Sequence, residues 1–112
     1  MTSTTPKCDE SYSMLQRRAD FFKALAHPTR LAIVQKLGEN LEVHGGEQCV
    51  CVLLEMFEID FSTISRHLAV LKNAGVVTSE KRGKNVYYRL ACPCLMNLFH
   101  CLDGILEHPL EG

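Results

Sequence analysis

The sequence predicts a mainly helical α+β domain, about five helices with one β-hairpin. Apolar residues recur at helical spacing up to residue 75 and again after residue 93. Between residues 76 and 90 the period shortens to that of strands, and Pro, Gly and Asp punctuate the joins. With 112 residues the chain has the length of one domain with a modest core, small enough that dimerisation would help bury apolar surface.

Residues 14–26 set Leu15, Ala19, Phe22 and Ala26 on one helical stripe that ends before His27-Pro28. Pro28 opens a second helix with Leu31, Val34 and Leu37 as its buried face and Gly38 as its stop. A loop is expected over residues 39–46, where Gly45-Gly46 breaks any continuing pattern, and residues 48–57 read as a third helix. Asp60 starts the fourth, its carboxylate expected to accept a backbone amide, and Ala74-Gly75 ends it. Strands are expected over residues 76–78 and 85–90, with Gly83 in the turn between them. In the last helix Pro93 suits the first position, which makes Cys92 the N-cap and aligns Cys94, Leu98, Cys101 and Ile105 on one face. The chain thus divides into a flexible arm (1–11), a folded domain (12–108) and a short tail (109–112).

The net charge of −1 hides a division along the chain. Residues 61–90 carry Arg66, Lys72, Lys81, Arg82, Lys84 and Arg89 against Glu80 alone, which is +5 and leaves −6 for the rest. A basic segment on an acidic body is what local phosphate contact needs, because attraction is set by the face that meets the duplex. In the fourth helix Ile64, Leu68 and Leu71 share the inner face, Ser62, Thr63 and Arg66 lie on or near the opposite one, and Ser65 and His67 fall on the flanks. Short polar side chains allow close approach to base edges and phosphates, and Arg66 can reach guanine or the backbone. A helix pair followed by a hairpin with Lys81, Arg82 and Lys84 near its tip is the order of a winged helix-turn-helix: the fourth helix enters the major groove of double-stranded DNA and the wing lies on the flanking backbone. An ordinary small domain with a solvated charged turn is the alternative.

No stretch is apolar and long enough to span a bilayer, and the first nine residues do not resemble a secretion signal, so a cytoplasmic protein is expected. Six cysteines in that compartment point to thiol chemistry or metal binding rather than a disulfide framework. Cys49 and Cys51 stand just ahead of the reading helix. In a regular helix, side chains two apart diverge by about 200°, so capture of one ion by both would bend or unwind the first turn and disturb that helix. No general base pairs with a cysteine nucleophile, so an enzyme is not expected. Of the histidines, His27 reads as a helix-start residue, His44 as loop and His100 as exposed.

His27-Pro28-Thr29-Arg30-Leu31, Cys49-Val50-Cys51, the run from Ser65-Arg66-His67-Leu68 to Ala74-Gly75-Val76-Val77, and Gly83-Lys84-Asn85-Val86-Tyr87-Tyr88-Arg89-Leu90 together resemble the ArsR/SmtB metalloregulatory repressors over about residues 12–108. The resemblance implies a homodimer that binds an operator near a resistance operon and dissociates when a metal or metalloid ion binds. It also implies that Ser62, Thr63, Ser65, Arg66 and His67 lie at the DNA. Arsenite-sensing members commonly carry a third cysteine five positions after the first, but here that position is Leu54. As(III) and Sb(III), the inducers expected first, favour three thiolates, so the pair is one ligand short. Cys8 is a candidate, since cadmium- and lead-sensing members bring arm cysteines to this pair across the dimer. Zinc-sensing members use the last helix instead. There Cys92, Cys94 and Cys101 form a second possible triad, although Ile105 replaces an expected histidine and His108 occupies the last ligand position. Cd(II), Pb(II) or Zn(II) as inducer, and thiol oxidation in place of a metal, remain alternatives.

Overall fold

The computed structural model describes residues 10–41 and 46–107. Cys8, His44, His108 and the 109–112 tail therefore lie outside the described residues. The elements run α1 (Glu10–Leu25), α2 (Pro28–Glu39), β1 (Gln48–Cys49), α3 (Val50–Phe57), α4 (Phe61–Asn73), β2 (Val77–Arg82), β3 (Asn85–Leu90) and α5 (Leu95–Glu107). Among the described residues, five helices and an antiparallel sheet ordered β1-β3-β2 realise the expected class, with one strand more than the sequence suggests. α1 begins at Glu10, inside the segment expected to be arm.

Local chemistry explains most boundaries. His27 is extended and its Nδ1 accepts the Thr29 amide at 3.1 Å, so it caps α2 while Pro28 fills the first turn, where an amide would have no partner. α4 ends in a paired closure. Gly75, at φ +86°, donates to Lys72 O at 3.0 Å and Val76 to Leu71 O at 2.9 Å, the Schellman pattern that a left-handed glycine permits. β2 reaches Arg82 opposite Asn85, so the hairpin tip is the two-residue Gly83-Lys84 with Gly83 at φ +63°.

Gly38 does not stop α2, which continues to Glu39 and is capped at Asn40. Its lack of a side chain serves packing instead: a Cβ there would collide with the Met96 side chain. The core is built from Ile33, Val34 and Leu37 of α2, Leu53 of α3, Ile64, Leu68 and Leu71 of α4, and Val76 and Val77 at the start of the wing. Leu31, expected inside, is 39% exposed, because α2 turns Ile33 inward instead. The stripe expected on α1 is likewise uncovered at Leu15 and Phe22, as are Leu98, Leu102, Ile105 and Leu106 of α5. No helix among the described residues is long and apolar enough to cross a membrane.

Candidate nucleic-acid interface and thiol sites

Burying Ile64, Leu68 and Leu71 fixes the rotation of α4 and turns Ser62 and Arg66 to solvent, with Thr63 and Ser65 half-buried beside them. Asp60 stands at the N-cap but makes no cap bond to a backbone amide. Its carboxylate instead accepts from Ser62 Oγ and, at 2.6 Å, from Thr63 Oγ1, and these hydroxyls lower its pKa to about 2. The side chains nearest the helix start thus form one bonded group. His67 is half-buried: its Nδ1 accepts Arg30 Nε at 3.3 Å and its ring lies 4.6 Å from that of His27. Desolvation, then His27, Arg30 and Arg66, push its pKa down. Arg30 also donates to Ala24 O at 3.0 Å, so one guanidinium joins the end of α1, the start of α2 and α4.

On the wing, Lys81 and Lys84 are exposed. Arg82, expected against the phosphate backbone, is engaged within the protein. It donates to Glu47 through both Nη atoms, with Nη1 at 2.9 Å, and to Glu80 at 2.7 Å, and its Cζ lies 4.9 Å from the Tyr87 ring centre. Two carboxylates hold it, so its charge is partly neutralised where DNA would approach.

The thiol pair departs from its expected geometry. Cys49 is not helical: it is extended (φ −69°, ψ 143°), pairs with Tyr87 in the sheet and caps α3, its Sγ accepting the Cys51 amide at 3.4 Å. The Cys49 side chain, followed by desolvation, pushes the Cys51 thiol pKa up. Cys49 thus precedes α3 as its cap while Cys51 lies in the first turn, so the 200° divergence of a regular helix does not describe the pair. Cys49 is buried and Cys51 exposed, so an ion would reach the pair from the Cys51 side. The donors suit a soft ion but are two in number, and no group of three Cys, His, Asp or Glu side chains among the described residues is placed to hold a metal.

The second cluster is only partly assembled. Pro93 and Cys94 form a turn ahead of α5, with Leu95 N bonded to Cys92 O at 3.0 Å, so Cys92 is not the N-cap and Cys94 precedes the helix that carries Cys101. The turn brings Cys92 Sγ to 2.6 Å from Cys94 Sγ, and the Cys92 contact pushes the Cys94 pKa up.

Residues 27–79 match the model of the bacterial regulatory protein ArsR family. The arsenical resistance operon repressor of Bacillus subtilis is 41% identical over 83 residues, which are 73% of this chain and 74% of that protein. The chain belongs to the ArsR family. The cadmium resistance transcriptional regulatory protein CadC of Listeria innocua is 42% identical over 78 residues, 70% of this chain and 61% of that one. Among the first relatives matched, the chain spans 53% to 78% of their length. The homodimeric winged helix-turn-helix DNA-binding domain Mb0332 of Mycobacterium bovis, described as a possible ArsR-family regulator, superposes with TM-score 0.75 at 28% identity, covering 99% of this chain and 94% of that one. ArsR-family proteins are DNA-binding transcriptional regulators and not enzymes, and the winged helix is shared along the chain.

Within this ArsR-family fold, sequence reading missed Glu47 and Arg30. Glu47 meets Arg82 across 35 residues, a pairing for which periodicity gives no signal. Arg30 stood inside the His27-to-Leu31 motif, where its contact with His67 was equally illegible.

Proposed function

We propose that this regulator is a homodimeric repressor that holds double-stranded operator DNA and leaves it when a soft metal or metalloid ion binds its cysteine thiolates, As(III) or Sb(III) foremost. One observation carries the reading: Cys49 Sγ caps α3 by accepting the Cys51 amide, and α3 leads through Glu58 to α4. An ion taken by these sulfurs acts on the element that positions the reading helix, and it favours whichever state of that element it binds more tightly. Ser62, Thr63, Ser65 and Arg66 read the groove, His67 braces the helix from its flank, and Lys81 and Lys84 meet phosphates, with Arg82 behind them. The uncovered faces of α1 and α5 supply the dimer contact, in keeping with the homodimeric relative. A third thiolate comes from Cys8, from its own chain or the partner's. The names of the Bacillus and Listeria relatives support arsenical and cadmium responses respectively, and Pb(II) or Zn(II) belongs to the same class of inducer.

A second reading places the inducer, or an oxidant, at Cys92 and Cys94, with Cys101 from the partner helix. The contact between the Cys92 and Cys94 side chains favours it. Operator binding by the reduced dimer, titrated with arsenite, antimonite, cadmium, lead, zinc and hydrogen peroxide, decides between them. Cys49→Ser should abolish release if the α3 pair senses, and Cys94→Ser should abolish it if the α5 cluster does. Retention of the operator under every soft ion refutes the metal reading.

A further inference from the structure

Glu47 belongs to neither the reading helix nor the wing, yet it grips the wing and stands two residues ahead of Cys49. Its carboxylate receives both Nη atoms of Arg82 and lies 3.7 Å from Arg89 Nη2. The Glu47 side chain is 18% exposed, against 47% and 51% for the two arginines, so the carboxylate is the sheltered partner of the cluster. Its hold on Arg82, through the same guanidinium's contact with Tyr87, leads back to the thiol pair, because Tyr87 is the β-ladder partner of Cys49. Arg82 is therefore touched from two sides by residues tied to the Cys49 backbone.

β1 is two residues long, Gln48 and Cys49, and passes straight from the sheet into the cap of α3. Only Gln48 separates Cys49 from Glu47, so a shift of the Cys49 backbone is passed through one peptide to Glu47. An exposed ion pair contributes little stability by itself. A bidentate carboxylate–guanidinium pair does fix geometry, and here it holds the Arg82 end of the wing against the residue that enters β1.

We propose that Glu47 is the positioning residue that carries thiol capture at Cys49 and Cys51 to the wing through Arg82 and Arg89. This rests on the reading of that pair as the inducer site, and adds to it a route through β1 and the sheet that bypasses α4. Capture at the pair moves Glu47 away from Arg82 and lets the wing depart from its DNA-bound angle.

The test uses full-length protein carrying Cys92→Ser and Cys94→Ser, with and without Glu47→Gln, and cadmium as the ion. The part of the cadmium–thiolate absorbance that a Cys49→Ser control loses reads capture at the pair. The ¹⁵N–¹H signal of Arg82 Nε reads the ion pair without DNA, and anisotropy of a labelled duplex selected from random sequence reads release. With Glu47 present, cadmium should move the Arg82 signal; in Glu47→Gln the metal-free signal should already lie near the cadmium-loaded position. Capture should be unchanged, while the factor by which cadmium weakens DNA binding should fall about five-fold or more. Absence of the absorbance band overturns the α3 pair as inducer site and this route with it. A normal band with an Arg82 signal that cadmium leaves in place, or an equal release factor in Glu47→Gln, overturns the route alone.

Discussion

The Cys51 backbone amide donates to Cys49 Sγ at 3.4 Å, so a sulfur proposed as a metal ligand is also the cap of α3. The two roles separate by substitution. Serine keeps an N-cap acceptor and removes the soft donor, whereas alanine removes both. Cys49→Ser should retain the thermal midpoint while losing soft-ion binding. Cys49→Ala should lose on the order of 0.5 kcal/mol of stability as well, toward the low end of cap deletions because a thiol is a weak acceptor. Equal midpoints for the two variants refute the cap.

Gly38 and Met96 make a second testable pair. A methyl at residue 38 would meet Met96 Sδ, and overpacking of about 1–3 kcal/mol outweighs the roughly 1 kcal/mol that alanine gains over glycine within a helix. Gly38→Ala should therefore destabilise the protein by about 1 kcal/mol in urea melts. In a Met96→Ala background the same change should stabilise. An unchanged sign there would show that α5 does not press on α2 through Met96.

Asp60 gives a pH signature. Its folded pKa of about 2 lies below the ordinary 3.8, so its bonds to Ser62 and Thr63 contribute stability that is complete above the unfolded value and lost as pH falls through the folded one. Urea midpoints should drop between about pH 4 and pH 2, and Asp60→Asn should remove that share of the drop. A carboxylate titrating near 4 by NMR contradicts the bonded group at the start of α4.

The two ends of the basic surface should respond differently to salt. Arg66→Ala should weaken operator binding about ten-fold or more and relax base preference if it reads a guanine. Lys84→Ala should weaken binding alike on all sequences and lower the slope of log K against log salt by about 0.9, the loss of one phosphate contact. Arg82→Ala should change that slope less than Lys84→Ala, because Glu47 and Glu80 already hold the guanidinium. A larger change at Arg82 would mean that DNA displaces those carboxylates.

Much of this protein was legible along the chain. The stripe Ile64, Leu68, Leu71 fixed which face of α4 is inside, and all three are fully buried. Gly75 and Gly83 marked a helix end and a hairpin tip, because both need a positive φ that few other residues accept. Local periodicity and turn chemistry act within a few residues, so they can be read from sequence.

The thiol geometry was not legible, and neither was the wing's internal pairing. A ten-residue apolar stretch reads as helix from residue 48 onward, but β3 recruits Gln48 and Cys49 into its ladder, which turns Cys49 from a helical residue into a cap. Arg82 counted as a free cation until the fold placed Glu47 beside it. The sequence by itself determined a winged helix whose fourth helix carries a polar outer face. Only the tertiary structure decided which sulfurs converge and which cations are held, because those depend on strands and side chains meeting across tens of residues, where no local period constrains the partner.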